Sequence, residues 1–174
     1  MPQAFDFAEA LKTLYPRLWR FCLATTGARH HADDLAQASC LKVLEKSHQF
    51  TVGTAFDAWV YRIAKNTWIN ELRANAVRRG GGLVPTEEFE LADTKSGPDA
   101  NLYGAEALEA VMALPEAQRT TTFLVYVEGY SYKETADMLE IPIGTVMSRL
   151  AASRKKLAER LAPDVSTATT RDQG

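Results

Sequence analysis

Apolar residues recur at three- and four-residue spacing over most of this chain, and strand-type alternation is almost absent. Phe5, Ala8, Leu11, Leu14, Leu18 and Phe21 form one stripe. They predict a helix from Phe5 to about Thr25 that Gly27 ends. Leu35, Ala38, Leu41 and Leu44 share one side of a second helix, from about Ala32 to Lys46. Asp33 and Asp34 fall in its expected first turn, where the helix dipole favours acids. Residues 47–54 break the period and read as a loop. A third helix is expected from about Ala55 to Val77, with Phe56, Trp59, Ile63, Ile69 and Leu72 as its core candidates. Gly80-Gly-Gly82 stops it, and the following Gly-, acid- and Pro-containing stretch reads as a flexible linker. Helices resume near Asn101, one to Ala113 and another from Pro115 to about Glu128, with Gly129 fitting a C-cap. The Ser/Thr-rich tail after Pro163 reads as frayed. The expectation is an all-α protein of two small helical domains on a tether: residues 1–79, a linker at 80–100, residues 101–163, and a disordered tail at 164–174.

The stretch from Tyr130 to Leu150 carries the strongest local signal. Ser131 stands at an N-cap position with Glu134 three residues on, the spacing of a capping box. Ala136, Leu139 and Ile141 supply the small and apolar positions that press one helix on another. Pro142 cannot extend the first helix and suits the opening of a second. Thr145, Val146 and Ser148 lie near that second N-terminus, where small polar side chains approach base edges or phosphates. Arg149, Arg154, Lys155, Lys156 and Arg160 follow, opposed only by Glu159. This is the pattern of a DNA-reading helix-turn-helix, more specific in combination than a solvated basic helical hairpin.

Charge sharpens that picture through its distribution. The 174 residues carry a net −2, but residues 1–79 hold 11 Lys and Arg against 7 Asp and Glu. Residues 80–100 hold one against five, and residues 143–160 five against one. Two basic patches thus flank an acidic connector, and local patches are what a nucleic acid meets within a Debye length. A composition of 46% hydrophobic and 24% charged residues is that of a globular protein. There is no apolar run long enough to span a bilayer and no basic leader at the N-terminus, so no membrane contact and a cytoplasmic location are expected. Cys22 and Cys40, with His30 and His31 between them, fit no common zinc spacing, and adjacent histidines on a helix point apart. A buried thiol and surface histidines are expected, and no metal. No Gly-rich phosphate loop or nucleophile–base pattern is present, so neither an enzyme nor a cofactor is expected.

The third helix interleaves aromatics with Arg62, Lys65, Asn66, Asn70 and Arg73. Stacking platforms beside phosphate-binding groups are what single-stranded DNA binding uses, and the preceding loop could hold an extruded base. Phe56 and Trp59 are expected in the core, and Tyr61 and Trp68 as the aromatics left exposed.

With these residues in place, nearly the whole chain resembles a bacterial sigma factor of the extracytoplasmic-function group (group 4 of the sigma-70 family). Asp33-Asp-Leu-Ala-Gln-Ala-Ser-Cys-Leu-Lys-Val-Leu44 resembles conserved region 2.2, and Trp59 to Arg73 resembles regions 2.3 and 2.4. Leu114 to Arg119, Glu128 to Ala136 and Gly144 to Leu150 resemble region 4. The resemblance implies that Asp33, Asp34, Leu35, Gln37 and Leu41 dock on the β′ clamp helices of core RNA polymerase. It implies that Phe50, Thr51, Gly53 and Thr54, with Arg62, Lys65, Asn66, Asn70 and Arg73, capture the −10 element as an open strand. It gives Pro142, Ile143, Gly144, Thr145, Ser148, Arg149, Arg154 and Lys155 to the −35 element, and region 4 a contact with the polymerase β flap. It also implies an anti-sigma factor as a controlling partner. Met147 and Ala152 stand where many members carry arginine, so readout of the −35 element here leans on phosphate contacts and DNA shape. A dimeric helix-turn-helix regulator is the alternative, but no spare apolar stripe or ligand-binding domain accompanies the motif.

Overall fold

Seven α-helices make up most of the described residues, which are 5–80 and 102–162 of a computed structural model. They are α1 (Phe7–Thr26), α2 (Arg29–Glu45), α3 (Phe56–Arg78), α4 (Leu102–Met112), α5 (Glu116–Thr122), α6 (Tyr132–Leu139) and α7 (Ile143–Leu161). A short 3-10 turn, Ser47–Gln49, follows α2, and α5 continues as a π-helical turn, Phe123–Val127. The expected linker beyond Gly80 and the expected tail lie outside the described residues.

Local chemistry explains the ends. The Asp6 carboxylate accepts from the Glu9 N–H at 3.0 Å and caps α1. Gly27 closes that helix in the left-handed region (φ 80°), its N–H donating to the Leu23 carbonyl. Only glycine fits here, because a Cβ would also lie 2.9 Å from Nη2 of Arg119. α1 runs through Pro16, which is exposed. α2 begins at Arg29 rather than near Ala32, without a side-chain cap, so Asp33 and Asp34 sit beyond its first turn.

The buried side of α2 also differs from the expected stripe. Ala32, Leu35, Ala36, Ser39 and Val43 face the core, and the Ser39 hydroxyl is satisfied by donating to the Leu35 carbonyl at 2.6 Å. Small residues let α1 approach closely, which turns Leu41 (63% exposed) and Leu44 (46%) to the surface. In α1, Leu11, Leu14, Leu18 and Phe21 are buried as the period predicts, while Ala8 is exposed.

The helices before and after the expected linker share one core. Leu18, Phe21, Leu35, Val60 and Tyr61 from α1–α3 join Phe123, Leu124, Met138 and Leu139 in a single apolar cluster. Ala136, Val146 and Leu150 form a smaller one that holds α6 on α7. At the seam, Arg119 is buried and donates to four backbone carbonyls: Ala24, Thr25 (3.3 Å), Met112 (3.1 Å) and Leu114 (2.9 Å). Burial pulls its pKa down, and Glu116 partly offsets that. One guanidinium thus satisfies carbonyls at the ends of α1 and α4, groups that have no partner within their own helices.

Candidate nucleic-acid interface

Position along α3 divides its polar residues into two faces. Arg62, Asn66, Asn70 and Arg73 follow one another at helical spacing, and Tyr61, Lys65 and Trp68 make a neighbouring stripe about one residue round. The first stripe contributes to a pocket of about 200 Å³ between α2 and α3, lined by Lys42, Lys46, Trp59, Arg62, Asn66 and Asn70 among others. Two lysines, an arginine and three side-chain amides (Gln49, Asn66 and Asn70) around an indole offer phosphate contacts, base-edge hydrogen bonds and a stacking surface together. Lys42 and Lys46 belong to this pocket although the sequence reading left them out. Charges scattered on a helix carry no mark of which face they share with another helix.

The loop before α3 separates into a buried base and an exposed tip. Phe50 is buried among aromatic rings, with centroids 5.4 Å from Phe56 and 5.1 Å from Trp59. It therefore supports the loop instead of offering a surface. Thr51, Val52, Gly53 and Thr54 are exposed, and the Thr54 hydroxyl donates to the Thr51 carbonyl at 2.7 Å. Gly53 takes φ 96° with open space about it, a conformation that requires glycine at the tip.

The second stripe of α3 is covered, contrary to expectation. Tyr61 is 1% and Trp68 4% exposed, because the later helices pack over them. The Tyr61 ring stacks on Phe21 at 4.7 Å, and its hydroxyl donates to Oε2 of Glu128 at 2.8 Å. The same oxygen receives Arg17 Nε at 2.8 Å and Nη2 at 2.5 Å. Arg17 also reaches Asp57 at 3.2 Å. Burial works against the Arg17 charge, but the bonds to Glu128 hold its pKa above the ordinary value. Trp68 donates its indole N–H to Glu116 at 3.2 Å. Burial raises the Glu116 carboxyl, the Trp68 bond opposing it.

Lys65 is the predicted site residue most altered by this packing. Its ammonium donates to the Leu139 carbonyl at 2.7 Å and to the Glu140 carboxylate at 3.0 Å. Arg62 donates to the Asp137 carbonyl at 3.3 Å while keeping an exposed position at the pocket rim.

The helix-turn-helix forms as its sequence predicts. Ser131 and Glu134 make a reciprocal capping box, 3.2 Å from the Glu134 N–H to the Ser131 hydroxyl and 2.8 Å from the Ser131 N–H to the Glu134 carboxylate. Glu140 ends α6 in the left-handed region (φ 55°), and Pro142 stands as the N-cap of α7. Ile143, Gly144, Met147, Ser148, Arg154 and Lys155 are exposed, Thr145 and Arg149 partly so, and Val146 is buried. The exposed set gathers on one side of α7, and Arg154 is steadied by donating to the Tyr126 hydroxyl at 2.9 Å. On α2, Asp33, Asp34, Gln37 and Leu41 are all exposed, whereas Leu35 is buried and holds the helix in place. The Trp19 indole N–H donates to Asp33 at 2.6 Å.

Cys22 is buried, which raises its thiol pKa, and Cys40 is half-buried. The His30 and His31 rings meet at 3.9 Å instead of pointing apart. Among the described residues no three His, Cys, Asp or Glu converge as a metal site.

An aromatic, amide-lined pocket on one helix and a capped helix-turn-helix on another can now be set beside known proteins. The sigma-70 region 2 family pattern matches residues 10–78, and the sigma-70 region 4 pattern matches residues 105–157. The chain belongs to the sigma-70 family. It is 30% identical to the ECF RNA polymerase sigma factor SigM of Mycobacterium tuberculosis, over 90% of this chain and 78% of that one. It is 28% identical to the ECF RNA polymerase sigma factor EcfG of Rhodopseudomonas palustris, over 94% and 90%. It shares its fold with the sigma factor RpoE of Bartonella quintana, solved in complex with the anti-sigma factor NepR (TM-score 0.70, 24% identity, 91% of this chain and 98% of that one). This sigma factor is of the extracytoplasmic-function group, and it serves transcription initiation rather than catalysis of its own. As a sigma-70 family member it works with core RNA polymerase and promoter DNA. No helix among its described residues is long and apolar enough to cross a membrane.

Proposed function

We propose that this sigma factor divides promoter recognition between the α2–α3 pocket and the exposed side of α7. The observation that carries this reading is the α3 register, which puts Arg62, Asn66 and Asn70 at one pocket beside the exposed Thr51–Thr54 loop tip. A −10 base flipped from its strand stacks in that pocket, its edge meeting the amides and its phosphates the surrounding lysines and arginines. Arg73, further along the same stripe, extends the phosphate track. Ile143, Gly144, Thr145, Ser148, Arg149, Arg154 and Lys155 enter the −35 major groove, with Pro142 setting the angle of entry. Asp33, Asp34, Gln37 and the exposed Leu41 present a mixed acidic and apolar face to the β′ clamp helices, and Leu44 extends it. Region 4 meets the β flap, an anti-sigma factor holds the protein silent until a signal releases it, and the site of action is the cytoplasm.

The test is transcription from a set of genomic fragments by core polymerase with and without this protein. Defined start sites are expected only when both are present; their absence across the set refutes the reading. Asp34→Arg should weaken polymerase binding at least tenfold, a desolvated like-for-opposite charge swap costing on the order of 2 kcal/mol. The same variant should leave duplex binding by α7 unchanged, and an equal loss of both would refute the division of labour.

A further inference from the structure

The solvent side of α7 carries an apolar strip. Ile143, Met147 and Ala151 follow at four-residue spacing and are all exposed, Ile143 at 49% and Met147 at 53%. At about 100° per residue the three lie within about 80° of arc. Arg154, seven residues beyond Met147, returns to the same side. Packing against α6 falls to Val146 and Leu150, so the strip is no part of the core. Single exposed apolar residues are ordinary on a protein surface. Three in line, ending at Arg154 with Lys155 beside it, form an apolar surface with phosphate-binding charge at one end.

The same stretch is poor in hydrogen-bond donors. From Ile143 to Ser148 no side chain has an N–H, and the Ser148 hydroxyl donates to the Thr145 carbonyl at 3.0 Å. Guanine presents two acceptors in the major groove, so reading it takes donors. Thymine presents a C5-methyl group, which an apolar side chain reads by contact. Ser148, with its hydrogen given to Thr145, keeps lone pairs for the amino group of adenine or cytosine.

We propose that Met147, with Ile143 one turn before it, reads thymine methyl groups in the −35 element. This inference rests on the reading of α7 as the −35 helix and names what that helix reads. The two side chains stand about 6 Å apart along the helix axis, comparable with two base-pair steps of about 3.4 Å. They therefore meet methyls on nearby base pairs, and Ser148 faces an amino group beside them. The occupant of the strip is duplex DNA because of the charge that continues from it. Arg154, Lys155, Lys156 and Arg160 follow, with Glu159 as the one acid in residues 143–160.

The experiment joins the full chain to core polymerase and supplies a promoter fragment mapped by its start site. Affinity is read by fluorescence anisotropy at fixed salt. The fragment is compared with one carrying deoxyuridine for thymine in the −35 region, which removes the methyls and keeps the pairing. Burying one methyl is worth about fourfold in affinity, so wild type should lose about fourfold per contacted thymine. Met147→Ala alters an exposed side chain and keeps the fold. It should bind the thymine fragment about fourfold more weakly than wild type and lose the penalty at one thymine. Equal wild-type affinity for both fragments, an undiminished penalty in Met147→Ala, or a −35 region without thymine in either strand overturns the methyl contact. A dimer of the free chain that Met147→Ala dissociates, seen by light scattering, assigns the strip to a second copy and overturns it too. Arg154→Ala separates the two ideas, because it should weaken both fragments alike. If it does so while wild type ignores deoxyuridine, the methyl contact alone falls. If neither Arg154→Ala nor deoxyuridine changes binding, the α7 reading falls with it.

Discussion

α3 and α7 are the two helices that the proposed function assigns to DNA, and they differ in how available they are. The polar side of α7 meets solvent, with Ser148, Arg154 and Lys155 exposed and Val146 and Leu150 anchoring the opposite side. α3 is wrapped on two sides, by α1 and α2 on one and by α6 on the other, and Lys65 is committed to the Leu139 and Glu140 acceptors. A basic residue on a helix is thus not yet a DNA contact: what already occupies it decides when it becomes one. The helix assigned by the proposal to duplex DNA keeps its polar side open to solvent. The helix assigned by the proposal to an unpaired strand is packed on by α6 along one stripe.

Removing the seam should abolish the difference. Arg119→Ala strands four backbone carbonyls in a buried place and should cost about 3 kcal/mol in urea denaturation. Amide exchange in α3 should then accelerate towards that of α7; a fall in stability with the α3–α7 contrast unchanged would show that the seam is not what protects α3. Acid should loosen the same side more gently. Burial raises the Asp57 carboxyl, but the nearby Tyr130 hydroxyl and the hydrogen bonds from the Ala58 N–H and Arg17 leave it below the usual range. A lowered folded value means that its contribution is complete above the unfolded pKa of about 3.9 and is lost as pH falls through the folded one. The stability difference between wild type and Asp57→Asn should therefore hold steady from pH 7 to 5 and shrink below about 4. Shrinkage already between pH 6 and 5 would contradict the assignment. The smallest effect is expected on the open helix. Lys155→Ala should reduce the salt dependence of duplex binding by about one unit of slope. Asn70→Ala should leave duplex binding by the free chain untouched; if the two variants behave alike there, the contrast between the helices fails.

Much of the local architecture was legible because its causes are local. Gly27, Ser131 with Glu134, and Pro142 mark helix ends through chemistry within three or four residues, and the helices end close to them; the Asp6 cap, one residue past the expected start at Phe5, was not read from the sequence. Two registers were not legible. On α2 the large residues Leu41 and Leu44 suggested the core, yet small Ala32, Ala36 and Ser39 take it because α1 lies so near. On α3 the fates of Tyr61 and Trp68 depend on Glu128 and Glu116, 67 and 48 residues away. Periodicity shows that a helix has a buried face; it does not report a second helix from the far end of the chain covering another. The candidate site divides the same way. Asn66, Asn70 and Arg62 line the pocket, Lys65 is diverted to α6, and Phe50 is consumed by packing.

The π-helical turn at Phe123–Val127 has a consequence for how this protein tolerates insertions and deletions. Its wide turn is closed by the Glu128 N–H donating to the Phe123 carbonyl at 3.0 Å, five residues back. Such a turn holds one residue more than an α-helical turn would. Each residue added to or taken from a helix rotates everything beyond it by about 100°. Wound as an ordinary α-helix, the same residues would carry Glu128 about 100° round and away from Arg17, whereas loss of one residue would let the segment re-form an ordinary helix with Glu128 still facing it. The wide turn therefore acts as a phasing element, setting the angle at which the second half of the molecule faces the first.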